Sequence, residues 1–172
     1  MPSARKQHFI DELKRHYSEI IAGARDAELG TAEAADTLQK ESRSRDEAKH
    51  AAEFGRVSVA HKKRRERAVR DVDALLEFAN TGLRDLPPNA KVQLGALVDV
   101  TIEDGDGSEE RTFFVLPVGA GTELTGPGGD GFISVVTPKS PVGKGLMGSV
   151  AGDSFEISTG DVDREWTVLD VC

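Results

Sequence analysis

The sequence predicts an α+β fold, with an N-terminal antiparallel helical hairpin over residues 1–86 and a β-rich domain over residues 87–172. Three observations carry this. Apolar residues recur at spacings of three and four through the first half. The composition breaks at Pro87-Pro88, after which come most of the glycines and β-branched runs. Two consecutive prolines cannot continue a helix, because each lacks an N–H and the second disfavours helical geometry at the first.

The first helix is read from Ile10, Leu13, Tyr17, Ile20, Ile21 and Ala24. A second stripe runs through Phe54, Val57, His61, Ala68, Val69, Val72, Leu75, Leu76, Ala79 and Leu83. Folded back on each other, the stripes pair Leu13 with Val72, Tyr17 with Val69, Ala24 with His61 and Leu29 with Val57, which puts the turn near Arg43. Ser44, with Glu47 three residues on, has the pattern of a helix N-cap. Gly30-Thr31 is the alternative turn, but it would leave very unequal arms. An arm of about forty residues, at a rise of about 1.5 Å each, is roughly 60 Å long. An ordinary two-helix bundle packed on a domain is the plainer reading of the same stripes.

In the second half, strands are expected at 92–103, 111–118, 132–138, 154–159 and 166–171. Asp104-Gly105-Asp106-Gly107 is a hairpin signal joining the first two. The glycine-rich stretch 119–131 reads as a loop, and a short helix is expected to start at Pro141. Together these make a small, mostly antiparallel sheet with one short helix.

Composition narrows the function classes. Charged residues are 30% and aromatics 5%, a polar balance that suits an extended helical element with little interior. No apolar run is long enough for a membrane span, and Met1-Pro2-Ser3-Ala4-Arg5-Lys6 opens no secretory signal. The lone cysteine, Cys172, excludes an internal disulfide or a paired-cysteine metal site, and a reducing cytoplasm is the expected location. Net charge is −8; residues 1–86 nearly cancel with 17 Lys/Arg and 16 Asp/Glu, while residues 87–172 hold 5 against 14. Such a chain is a poor general binder of nucleic acid, so any such contact must be local. No Ser/His/Asp or Cys/His arrangement stands at motif spacing, and His8, His16, His50 and His61 all fall on the expected helices. Hydrolysis by the chain alone is therefore not expected.

The run Ser140-Pro-Val-Gly-Lys-Gly-Leu-Met-Gly-Ser-Val-Ala-Gly-Asp153 resembles the C-terminal signature of Gre-type (GreA/GreB) transcript elongation and cleavage factors. Val92-Gln-Leu-Gly-Ala-Leu-Val98 resembles that family's opening of the domain, and Ile133-Ser-Val-Val136 its central strand. The resemblance is strong over 91–171 and weak over 1–86. It implies an FKBP-like C-terminal domain that docks on the rim of the secondary channel of RNA polymerase, with a coiled-coil finger inserted toward the active site. It also implies a monomer, DNA binding as a family property, and contact with the 3′ end of nascent RNA. Ser140, Pro141, Lys144, Leu146 and Met147 are the docking candidates, with Gly143 and Gly145 clearing the approach. Core filling is the competing role for Leu146 and Met147.

Family members hold no complete active site and no metal of their own. Their tip carboxylates help hold the second Mg²⁺ of the polymerase, which hydrolyses backtracked RNA by two-metal chemistry. Aligned on Lys49-His50-Ala51-Ala52, this chain has Ser42 and Arg45 where the family's acidic pair would stand. The remaining tip carboxylates are Glu41, Asp46 and Glu47, with Arg43 and Arg45 as competing cations. Helix capping is the other role open to Asp46 and Glu47. A factor that cleaves through a rearranged tip and a factor that occupies the channel and tunes initiation both remain open.

Lys62, Lys63, Arg64, Arg65, Arg67 and Arg70 form the one basic run in an acidic chain. In the family, a basic patch along the hairpin contacts extruded RNA, through phosphate contacts that weaken with salt. A solvated face paired with Glu66, Asp71 and Asp73 is the alternative. From other classes, a prolyl isomerase would need an aromatic-walled pocket, and Phe113, Phe114, Phe132, Phe155 and Trp166 are the residues available. Alternation puts Phe113 and Phe114 on opposite faces, and core filling accounts for the others. A structural coiled-coil dimer would show a doubled mass.

Overall fold

The structure is a computed structural model that describes residues 2–105, 107–129, 131–159 and 162–172. It is α+β: two long helices, α1 (Ala4–Glu41) and α2 (Arg45–Thr81), precede a six-stranded sheet. The strands are β1 (Leu97–Asp104), β2 (Gly107–Val115), β3 (Glu123–Thr125), β4 (Phe132–Val136), β5 (Ser154–Thr159) and β6 (Val162–Val171), with a short helix α3 (Pro141–Leu146) between β4 and β5. The chain packs as two compact units, Lys14–Asp73 and a second made of Met1–Leu13 with Ala74–Cys172.

In the first unit the turn falls at residues 42–44, as the pairing of stripes predicts, and α1 runs unbroken through Gly30-Thr31. Thr31 stays helical while its hydroxyl donates back to the Ala27 carbonyl at 2.7 Å. Ser58 Oγ donates to the Glu28 carbonyl at 3.1 Å, so the two arms lie against each other. The seam differs from the expected one in part. Tyr17, Ala24, Ala51 and Ala68 are buried, whereas Leu29, Val57 and Val69 are 53%, 41% and 38% exposed. Two helices alone have no third element to cover a broad apolar stripe, so its flank stays in water.

In the second unit the sheet order is β3-β4-β2-β1-β6-β5. All neighbours are antiparallel except β2 and β4, which are parallel. Asp104 pairs with Gly107 at the β1–β2 hairpin; Asp106 of that signal lies outside the described residues. The expected first strand is shorter than read. Val92 exchanges backbone hydrogen bonds with Gly148 and Ser149 instead of joining the sheet, and Gly95 turns the chain at φ +86° against the Phe78 ring. β2 begins earlier, at Gly107, and ends at Val115, while β4 stops at Val136. Part of the expected loop is the three-residue strand β3, and β6 extends back through Asp163-Arg164-Glu165 because β5 pairs with it there.

The sheet buries apolar side chains on both faces. One cluster joins Val98, Val100, Phe113, Val115, Trp166 and Val168 to Leu146 of α3. On the other face Phe114 is fully buried and meets the Phe9 ring edge-on at 6.1 Å. Phe9, Ile10 and Leu13 of α1 are 0%, 1% and 0% exposed, so the first turns of α1 act as a lid on this face. Lys6 is buried with them, its Nζ donating to the Arg84 carbonyl at 3.0 Å. Burial holds its ammonium below the ordinary lysine range, offset by Cys172 and Asp85. Phe113 and Phe114 face opposite ways, as alternation predicts. No helix among the described residues is long and apolar enough to cross a membrane.

Candidate functional site

The tip of the hairpin is built by a reciprocal cap. The Glu47 N–H donates to Ser44 Oγ at 3.3 Å, and the Glu47 carboxylate accepts the Arg43 and Ser44 N–H groups at 2.7 and 3.1 Å. Three donors that the start of α2 would leave unpaired are thereby satisfied. Those backbone hydrogen bonds, from Arg43 first and Ser44 second, hold the Glu47 carboxyl below the usual carboxylate range. Both of those bonds fall on Oε2, so one of its two carboxylate oxygens is engaged by its own turn. Glu41 and Asp46 stay exposed, as do Arg43 and Arg45, while Ser42 is half-buried. Asp36, one turn back on α1, is paired with Lys40 at 2.6 Å. Among the described residues, no group of three or more His, Cys, Asp or Glu side chains is arranged to hold a metal ion.

The basic run divides into two roles. Arg65 Nε donates to Glu28 Oε2 at 2.9 Å across the two arms, and both groups are largely shielded. That hydrogen bond first, and the charges of Arg65, Lys62 and Arg25 after it, keep the Glu28 carboxyl below its usual range. Arg65 is therefore tied across the hairpin through its Nε. Lys62, Lys63, Arg64, Arg67 and Arg70 remain exposed. Beside them the Tyr17 hydroxyl donates to Asp71 Oδ2 at 3.4 Å, and burial followed by the Asp71 charge pushes Tyr17 up to about 12. Glu28 escaped sequence reasoning, because a carboxylate one residue before an apolar stripe member carries no signal of its partner.

The run at Ser140–Met147 is α3 and its caps. Ser140 Oγ accepts the Gly143 N–H at 3.1 Å, and Pro141 opens the helix where its missing N–H costs nothing. Leu146 is fully buried beneath the sheet, so it anchors α3 and offers nothing to a partner. Gly143 and Gly145 also serve the fold: a methyl at the first would drive into the Thr137 carbonyl, and at the second into the Phe155 ring. That contradicts the expectation that they clear space for a partner. Exposed on this helix are Pro141, Lys144 and Met147, the last at 37%. Of the aromatics, Phe113, Phe114 and Trp166 are buried, with Phe155 stacked on Trp166 at 6.0 Å and Phe113 tilted against it at 5.5 Å, whereas Phe132, expected in the core, is exposed.

Comparison with known proteins adds the following. The family model described as transcription elongation factor, GreA/GreB, C-term, matches residues 87–172. No curated protein matches the chain. Among solved structures, the chain is similar to the GreA factor homolog 1 protein of Thermus thermophilus at 19% identity, covering 92% of this chain and 94% of that one, with a TM-score of 0.35. It is similar to the same homolog of Thermus aquaticus at 17% identity, covering 91% and 92%, with a TM-score of 0.35. A GreA/GreB elongation factor from Nitrosomonas europaea is 22% identical over 58% of this chain and 75% of its own, with a TM-score of 0.33.

Proposed function

Since the chain belongs to the GreA/GreB family of transcription elongation factors, we propose that it binds RNA polymerase in the cytoplasm as a monomeric accessory factor. In this reading its hairpin enters the secondary channel and tunes transcription without supplying the carboxylates for transcript cleavage. Any hydrolysis of RNA would belong to the polymerase and its own Mg²⁺. Docking at the channel rim falls to the exposed members of the α3 run, Pro141, Lys144 and Met147. Lys62, Lys63, Arg64, Arg67 and Arg70 are the side chains available to nascent RNA.

One observation carries the non-cleaving reading. Of the three tip carboxylates, Glu47 is bound into its own cap, and the remaining two, Glu41 and Asp46, stand on opposite sides of a turn that also bears Arg43 and Arg45. Mg²⁺ takes carboxylate and water oxygens in near-ideal octahedral geometry, and adjacent guanidinium groups both compete for the carboxylates and repel the ion. A second metal in phosphoryl transfer needs the opposite arrangement.

The test is RNA shortening in stalled, backtracked polymerase complexes, alongside a promoter-initiation assay. The expected result is no shortening beyond that of polymerase alone, and altered initiation or pausing that persists in Glu41→Ala and Asp46→Ala. Rapid shortening that disappears in either variant would overturn this reading and make the chain a cleavage factor with a rearranged tip.

A further inference from the structure

On the sheet unit, away from α3, a depression of about 640 Å³ opens on β1, β2, β3, β4 and β6. Its lining joins two apolar side chains that face water with four carboxylates. Phe132 is 74% exposed, the most exposed large apolar side chain among the described residues, and Leu169 is 44% exposed. Leu169 is turned outward by a bulge: Asp99 pairs with Asp170 and Val100 with Val168, leaving Leu169 as the extra residue. The carboxylates are Asp99, Glu110, Glu123 and Asp170. Asp99 and Asp170 sit directly opposite each other on neighbouring strands, an arrangement that costs stability.

Among the described residues little relieves that charge. The lining's cation, Arg111, is paired with Glu109 at 3.1 Å, and the Thr112 hydroxyl donates to Asp99 at 2.6 Å. Among the described residues none of the four carboxylates takes part in an ion pair within 4.0 Å. An exposed aromatic ring ringed by uncompensated carboxylates is a poor surface for nucleic acid or anionic lipid, since both carry negative charge. It is well suited to a lysine or arginine side chain, which gains from the ring face and the carboxylates together.

We propose that this depression, centred on Phe132, is a docking surface for a lysine- or arginine-bearing segment of RNA polymerase, separate from the α3 contact. The inference rests on the polymerase-binding reading above. Phe132 and Leu169 supply the apolar anchor, and the four carboxylates steer the segment and set its register.

The experiment measures binding of the full chain to immobilised core polymerase across a salt series. Phe132→Ser, the double variant Glu110→Gln/Glu123→Gln, and Lys144→Ala are compared, and unchanged Trp166 fluorescence confirms that each is folded. Phe132→Ser is expected to weaken binding roughly tenfold or more. The double glutamine variant is expected to weaken it at low salt and to flatten the salt dependence. Wild-type binding with both variants indistinguishable from it overturns the proposal while leaving the functional reading intact. No binding by the wild-type chain overturns that reading and this proposal with it. A doubled mass in light scattering that Phe132→Ser abolishes would assign the surface to a second copy instead, and also overturns the proposal.

Discussion

Replacing Phe9 by alanine tests whether the first turns of α1 are part of the sheet unit's core. The ring is 0% exposed and meets the fully buried Phe114 edge-on at 6.1 Å. Truncating a buried phenylalanine costs about 3–5 kcal/mol, from lost transfer energy and the cavity left behind. An edge-to-face pair adds about 0.5–1.5 kcal/mol beyond area, so Phe9→Ala and Phe114→Ala should be non-additive by about that much. Phe9→Leu keeps most of the volume and should cost less than about 1.5 kcal/mol. Trp166, the single tryptophan, is 7% exposed beside Phe113 and Phe155 on the other face, so its fluorescence reports unfolding in urea without touching the mutated pair. A loss below about 1 kcal/mol for Phe9→Ala, with an unchanged urea slope, would refute the claim that α1 closes the sheet.

Three further outcomes follow from the same packing. A fragment of residues 87–172 lacks Phe9, Ile10, Leu13, Leu75 and Leu83, each worth about 1.5–3 kcal/mol when buried, a sum comparable to the stability of a small domain; its Trp166 emission is expected to be that of an unfolded or aggregated chain. Gly143→Ala forces a methyl into the Thr137 carbonyl and should lower stability by about 3 kcal/mol or more, whereas Gly23→Ala, with nothing near the new methyl on an exposed helix position, should raise it by about 1 kcal/mol in thermal unfolding. Because Tyr17 titrates near 12 when folded and near 10 when unfolded, its contribution is complete below pH 10 and is lost as pH rises toward 12; urea midpoints of Tyr17→Phe should fall less than wild type across that window.

Legibility in the sequence followed locality. The 42–44 turn was readable because a constant pairing sum and the Ser44–Glu47 cap point to the same place. So was α3, since Ser140-Pro141 announces a helix start within a few residues. The three-residue β3 was not readable, for its Glu-Leu-Thr offers no period to detect. Nor was the parallel β2–β4 pairing, which is a choice of topology and leaves no mark on either strand. The charged start of β6 was missed because its pairing with β5 comes from neighbouring backbone and not from apolar alternation. Ile10 and Leu13 have the spacing of a stripe meant for α2, but the sheet wins them, with Phe9 beside them, because it offers a broader apolar face. At the tip, the Ser44–Glu47 spacing announced the cap that the hydrogen bonds show.

The lid formed by the opening turns of α1 has a consequence for how the chain is made. Its apolar residues leave the ribosome before the strands they cover, since Phe114 of β2 lies about a hundred residues after Phe9 and β4 later still. At synthesis rates of about 5–20 residues per second, Phe9 waits on the order of ten seconds for Phe114. During that interval the hairpin between them can form from local contacts alone, but the N-terminal turns stay sticky and unsheltered. Nascent chains of this protein should therefore engage holding chaperones through Phe9, Ile10 and Leu13, and release them once β2 and β4 have emerged.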